Sequence, residues 1–91
     1  MATVIITLKI MPASPDENLS KIEEEAKKLI EKYGGKFHKT EIEPIAFGLN
    51  AVKIIFVVDE SKGSTDALEE KISSMKSVAS AEVVGVTRSL G

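Results

Sequence analysis

The chain has no cysteine, no tryptophan and a single histidine, His38, among its 91 residues. Without cysteine it offers no disulfide, no thiolate metal ligand and no cysteine nucleophile. One histidine also excludes a metal site built from several histidines. Aromatic residues are few, with three phenylalanines and one tyrosine. A phenylalanine outside the predicted core therefore needs an explanation.

Charge and apolar runs exclude further classes of protein. The formal net charge is −2, whereas a protein that binds nucleic acid through its phosphates needs a basic face. No apolar run approaches the roughly 18 residues of a membrane span. The first ten residues alternate and lack the cleavage site of a signal peptide. We therefore expect one domain over residues 1–91, a cytoplasmic location, and no direct contact with nucleic acid or membrane.

Hydrophobic periodicity predicts four strands and two helices. Ser14, Pro15 and Glu17 have the spacing of a capping box at the start of the first helix, and Gly34 and Gly35 end it. The predicted elements are, in chain order, a strand over 3–11, a helix ending at Tyr33, a strand over 36–43, a strand over 50–58, a turn over 59–64, a helix carrying Leu68, Ile72 and Met75 with Asp66 in its first turn, and a strand over 79–88.

The order β-α-β-β-α-β predicts an α+β ferredoxin-like plait, a four-stranded antiparallel sheet with two helices on one face. The polar second strand is predicted at an edge and the apolar third strand at a central position. Ile5, Ile55 and Val57 would leave the helix-free face partly apolar, which fits either a partner surface or dimerisation.

The same topology separates two features of the surface. The turn "PIAFGL" (44–49), which holds Phe47, joins the second and third strands at one pole of the sheet. The last strand ends at the other pole, near Arg88. Since a ten-residue strand spans about 33 Å, Phe47 and Arg88 are too far apart to share one small-molecule site.

Enzyme chemistry finds no support in the sequence. No nucleophile has a plausible base beside it, and neither glycine-rich phosphate-binding pattern occurs. An acylphosphatase would need an arginine in the loop after the first strand, which here reads "MPASPDEN". An RNA-recognition domain would need several aromatic residues and basic charge on its third strand. Here that strand has Phe56 as its one aromatic residue, and the net charge of the chain is negative. We expect no catalytic residue, no metal and no cofactor.

Three stretches together resemble translation elongation factor 1-beta, in the form found in archaea. They are "VIITLKIMPASPDENLSKIEEEAKKLI", "EPIAFGLNAVKIIFVVDESKGSTDALEEKI" and "SVASAEVVGVTRSLG", and they cover almost the whole chain. The resemblance implies a guanine-nucleotide exchange factor that releases GDP from elongation factor 1-alpha so that GTP can bind. The turn "PIAFGL" and the terminal "VTR" are its most specific parts.

The resemblance also implies site residues. Pro44, Ile45, Phe47 and Gly48 would bind the GTPase, with Phe47 packing on its surface. Thr87 and Arg88 would act in nucleotide exchange. Eukaryotic members carry a lysine near the C-terminus that enters the region of the magnesium ion and the phosphates, and Arg88 takes its place here. Because arginine is a planar fork and lysine a point charge, Arg88 either displaces the metal or clamps a carboxylate or phosphate.

Two other functions remain open from the sequence. One is a regulatory plait that binds a small ligand and dimerises through its sheet, although such a domain usually has a glycine-rich turn where "MPASPDEN" has none. The other is an RNA-binding plait, which would show binding to RNA that depends strongly on salt.

Overall fold

A computed structural model of the chain describes residues 2–62 and 65–90. Its elements confirm the predicted order β-α-β-β-α-β. They are β1 (Ala2–Pro12), α1 (Leu19–Tyr33), β2 (Lys36–Pro44), β3 (Asn50–Asp59), a one-turn 3-10 helix (Glu60–Lys62), α2 (Asp66–Ser73) and β4 (Val78–Leu90).

The strands form one antiparallel sheet in the order β2-β3-β1-β4. The second strand lies at an edge and the third at the centre, as their polarity predicted. Both crossovers place their helix over the same face, which makes the architecture the expected ferredoxin-like plait. The β2–β3 hairpin and the C-terminal end of β4 therefore lie at opposite poles of a molecule that measures 42 × 21 × 17 Å.

The core lies between the helices and this face of the sheet. Alternating residues of β1 and β3 point into it because successive side chains of a strand face opposite sides. Residues spaced by three and four on each helix meet them. The buried side chains include Leu8, Ile10, Ile22, Ala26, Ile30, Val52, Ile54, Phe56, Leu68 and Ile72. Among the described residues no buried side chain is polar or charged.

The predicted capping box at Ser14 is wrong. The first helix begins at Leu19, and Asn18 is its N-cap, with a side chain that accepts a hydrogen bond from the Lys21 backbone N–H. Ser14 instead closes a separate turn, in which its carbonyl accepts from the N–H of Glu17. Asparagine is as good a cap as serine. The pattern of residues alone does not show which of two nearby capping residues starts the helix. The predicted end is confirmed, since Gly34 adopts φ 107°.

An irregularity in β2 protects this edge of the sheet. Phe37 pairs with Phe56 while Lys39 pairs with Ile55, so His38 is an extra residue. His38 is exposed and Phe37 half-buried, which agrees with the expectation that one of the two points outward. The Lys27 ammonium lies 4.3 Å from the centre of the Phe37 ring. Such a bulge discourages pairing with another chain at an exposed edge.

The second half of the chain differs from prediction mainly at element ends. Asp66 lies in the first turn of α2, as expected. Met75, assigned to that helix from the sequence, lies beyond its end but still packs against the core. The last strand extends one residue before and two after the predicted range. Positions 63 and 64 of the predicted turn lie outside the described residues. No helix in the described parts of the chain is long and apolar enough to cross a membrane.

Candidate functional site

The β2–β3 hairpin presents a phenylalanine at its tip. The N–H of Leu49 donates to the carbonyl of Ala46 at 2.9 Å, which closes a four-residue turn. Its two central residues, Phe47 and Gly48, have φ angles of 55° and 81°. Positive φ at both central positions is the pattern of a type I′ hairpin turn, which glycine and asparagine adopt easily.

Phe47 is an unusual residue for this turn. A bulky L-residue with positive φ is an outlier, because its Cβ crowds the backbone at a cost of about 1–2 kcal/mol. Packing of the ring does not offset this cost, since Phe47 is 97% exposed. The alternative that this aromatic folds back over the edge of the sheet is therefore excluded. A strained and fully exposed aromatic side chain indicates a function outside the fold.

Other apolar side chains surround this tip. Among the described residues five large hydrophobic side chains are exposed, and three of them, Ile42, Ile45 and Phe47, belong to this hairpin. Pro44 ends β2 and is also exposed. The four predicted partner-binding residues therefore lie together at one pole, and Ile42, an exposed residue that was not predicted for the site, lies in the strand that leads into the turn. We define these five residues, Ile42, Pro44, Ile45, Phe47 and Gly48, as the hairpin patch.

A set of ion pairs stabilises the base of the hairpin on the helix-free face. Glu43 lies 3.2 Å from the Lys9 ammonium and 3.7 Å from that of Lys53. The hydrogen bond from Lys9, followed by the charge of Lys53, lowers the pKa of the Glu43 carboxyl. The pairing joins three strands just before Pro44, so it holds the end of β2 against its neighbours. The sequence could have indicated it, because Glu43 and Lys53 are opposite charges on adjacent strands.

We expect this ion-pair set to make stability depend on pH. Because the folded-state pKa of Glu43 lies below its unfolded value, its stabilising contribution is complete above the unfolded pKa and is lost as pH falls through the folded one. Thermal unfolding followed between about pH 5 and pH 3 should show the parent losing more stability than Glu43→Gln. Glu24→Gln, which removes an exposed carboxylate of α1, is the control and should follow the parent. Equal losses in all three proteins would contradict this assignment.

The opposite pole carries Thr87 and Arg88, both exposed. Thr87 pairs with Ile5, on the helix-free face, whereas Arg88 pairs with Val4, which packs against the core on the helix-covered face. The two predicted exchange residues are thus adjacent in the chain but point to opposite sides of the sheet. The distance along β3 from Val58, which is level with Arg88, to Asn50, at the start of the hairpin, is about 26 Å. The predicted separation of the two poles is confirmed.

Arg88 is not a loose terminal charge, because its guanidinium forms an ion pair with Glu60 in the 3-10 turn. Beside the pair lies a hollow of about 310 Å³, whose apolar walls include Val4, Val58 and Val86. Val86 is 64% exposed, although its partner Ile6 is buried. Glu60 was not singled out from the sequence. The topology alone could have pointed to it, since β3 and β4 end at the same pole.

The described residues contain no group of three or more histidine, cysteine or acidic residues arranged to hold a metal ion. What the structure presents is an apolar tip and a cation at the two ends of a long sheet, an arrangement suited to contacting a macromolecule at two places.

Comparison with known proteins gives the family. Residues 5–88 match the EF-1 guanine nucleotide exchange domain. An elongation factor 1-beta from Methanococcus vannielii is 44% identical over 84 residues, covering 92% of this chain and 94% of its own length. Another, from Methanothermobacter thermautotrophicus, is 41% identical and covers 97% of this chain and 98% of its own length. A third, from Sulfolobus acidocaldarius, is 42% identical, with coverages of 93% and 94%.

Solved structures at low identity share the fold alone. The ACT domain from a GTP pyrophosphokinase of Chlorobium tepidum gives a TM-score of 0.59 at 15% identity, over 88% of this chain and 96% of its own. A designed protein, Foldit4, gives 0.60 at 14% identity, over 98% of both chains. Such different proteins on one fold say nothing about function. The match over residues 5–88 and the archaeal relatives do, and the chain therefore belongs to the family of the EF-1 guanine nucleotide exchange domain, as an archaeal-type elongation factor 1-beta.

Proposed function

We propose that this chain acts as a guanine-nucleotide exchange factor for translation elongation factor 1-alpha in the cytoplasm, promoting GDP release so that GTP can bind. Membership in the exchange-domain family supports the activity. The structural observation that carries the proposal is Phe47, strained and 97% exposed at the tip of a hairpin. In this proposal residues 1–91 work as one domain whose partner is a protein, not a small molecule.

The hairpin patch would supply affinity. A phenylalanine that fills a pocket of the partner is a typical binding hot spot. The strain at Phe47 is already present in the free protein, and the turn fixes the backbone of Phe47 before binding, which limits the entropy lost on association. Lys9, Glu43 and Lys53 hold the strand that leads into the patch.

Arg88 would act on the nucleotide. GDP bound to such a GTPase is held largely by backbone donors, a lysine and a magnesium ion that contact its phosphates. A guanidinium brought into this region competes with the metal for negative charge or forms a fork with a carboxylate or phosphate. Either contact lowers the affinity for GDP as long as it forms only when the nucleotide site is open. Because coupling is reciprocal, GDP must weaken the binding of this chain by the same factor.

No covalent chemistry is required of the chain in this mechanism. It changes the rate of nucleotide release and leaves the equilibrium between GDP and GTP binding to the free GTPase unchanged. The direction of exchange comes from the excess of GTP over GDP in the cell. This is consistent with a core that contains no polar side chain among the described residues.

The regulatory plait that dimerises through its sheet is less well supported. On the helix-free face Ile55 is 9% exposed and Ala51 fully buried, and the charged set of Lys9, Glu43 and Lys53 occupies one end of it. The apolar surface that remains open to a partner is concentrated at the hairpin patch.

The test is the release of fluorescent GDP from elongation factor 1-alpha, chased with excess GTP, with and without this protein. We expect release to accelerate in proportion to the protein added until it saturates, and saturating GDP to weaken the complex. An unchanged release rate at stoichiometric excess would refute the function. Strong, salt-dependent binding to RNA with no effect on GDP would favour the RNA-binding plait instead.

A further inference from the structure

We infer that Glu60 restrains Arg88 in the free protein and that the ion pair between them limits the rate of nucleotide exchange. The inference rests on the proposed function, because the restrained group is the cation proposed to act there. It adds a residue outside the predicted site, one that touches neither nucleotide nor partner in this role and acts only through Arg88.

The geometry supports a restraint built into the fold. Glu60 is the first residue of the 3-10 turn that follows β3, so its backbone is fixed beside the end of the sheet. Arg88 lies at the same pole of the sheet, near the end of β4, and is paired with Val4 on the helix-covered side. Its guanidinium contacts the Glu60 carboxylate across 28 residues of sequence. The side chains stay accessible, with 65% of Arg88 and 42% of Glu60 exposed, so a partner can separate them.

Charge decides the direction of the effect. A guanidinium still paired with a carboxylate presents a nearly neutral group, which cannot compete with a magnesium ion or attract a phosphate. Arg88 must therefore leave Glu60 when it enters the nucleotide site. Separating an exposed ion pair requires up to about 1 kcal/mol, which corresponds to a rate reduced by up to about five-fold.

The test compares Glu60→Gln with the parent in release of fluorescent GDP at saturating protein and low salt. The substitution keeps the size of the side chain and removes its charge. We expect release to be about two- to five-fold faster, with an unchanged dissociation constant for the GDP-bound GTPase, in whose complex Arg88 has not yet left Glu60. Glu24→Gln removes an equal charge from the exposed face of α1 and should match the parent, which controls for net charge.

A double-mutant cycle separates restraint from other roles of Glu60. In the Arg88→Ala background, Glu60→Gln should have no effect on release. Faster release in that background too would mean that Glu60 acts through the electrostatic field of the pole and not through Arg88. A rate equal to or below that of the parent in the single variant would also overturn the inference.

A measurement on the free protein is independent of exchange activity. The heteronuclear NOE of the Arg88 Nε–H group should be higher in the parent than in Glu60→Gln, because the ion pair slows the side chain. If the parent fails to accelerate GDP release, the proposed function fails, while this NMR difference still reports the ion pair. If the NOE is equal in both proteins, the restraint does not exist, whatever the exchange assay gives.

Discussion

Phe47→Asn is expected to weaken association with elongation factor 1-alpha by about 30-fold or more while making the free protein more stable. The loss follows from removing a hot-spot side chain, which costs about 2 kcal/mol or more. Titration calorimetry with the nucleotide-free GTPase measures it directly. GDP release at saturating concentrations of the variant should approach the parent's rate, because Arg88 is unchanged.

The gain in stability comes from the turn. Phe47 has φ 55° and precedes Gly48 with φ 81°, and Asn-Gly is a preferred pair for this type of hairpin. Asparagine tolerates the left-handed region that strains phenylalanine, so relief of about 1 kcal/mol is expected. For a domain of this size that raises the melting temperature by about 4–8 °C. Losing the ring leaves no cavity, because it is 97% exposed.

This test is demanding because the affinity for the GTPase should fall while the stability of the free protein rises. Val84→Ala, which trims an exposed apolar residue in β4, is the control and should alter neither quantity appreciably. A variant that becomes more stable yet binds as tightly as the parent would remove the docking role of Phe47. A variant that loses both stability and affinity would mean that the ring supports the hairpin itself.

The elements of this fold were predictable because each one repeats a simple pattern. The residues of β1 alternate, β3 is a nearly continuous apolar run, and α1 keeps its apolar residues three and four apart until Gly34. The position of the β2–β3 hairpin followed from the order of the elements. The start of α1 was missed because Ser14 and Asn18 are both good caps, and the turn at Ser14 forms a hydrogen bond of its own. A choice between local alternatives depends on contacts that the sequence does not display.

The candidate site, like the fold, could be predicted from the sequence only in part. The sequence, through its resemblance to the family, indicated Phe47 and Arg88, and the topology placed them at opposite poles. It did not predict the left-handed backbone at Phe47, since phenylalanine is a poor residue for a type I′ turn. Nor did it predict which of Thr87 and Arg88 faces the helices, or that Glu60 holds Arg88. Both depend on strand register, which the irregularity at Val84 shifts by one residue.

Arg88→Ala is expected to slow GDP release from the complex by about 10- to 100-fold at saturating protein, with little change in its affinity for the GDP-bound GTPase. A charge-assisted hydrogen bond to a buried anion contributes about 1.5–3 kcal/mol, and Arg88 would make it only while the nucleotide site is open. The hairpin patch would still bind the GTPase, because it lies roughly 26 Å away along the sheet. The measurement is single-turnover release of fluorescent GDP, alongside the dissociation constant of the complex.

Arg88→Lys then distinguishes the two mechanisms open to this residue. If Arg88 competes with magnesium as a positive charge, lysine restores most of the rate, and raising the magnesium concentration slows release in the parent and in the lysine variant alike. If Arg88 clamps a carboxylate or phosphate with its planar fork, lysine fails to restore it, and magnesium has little effect. In both cases the alanine variant binds but exchanges slowly. A protein with alanine at position 88 that releases GDP as fast as the parent would remove the cation from the mechanism, and exchange would then have to arise from the contacts of the hairpin patch alone.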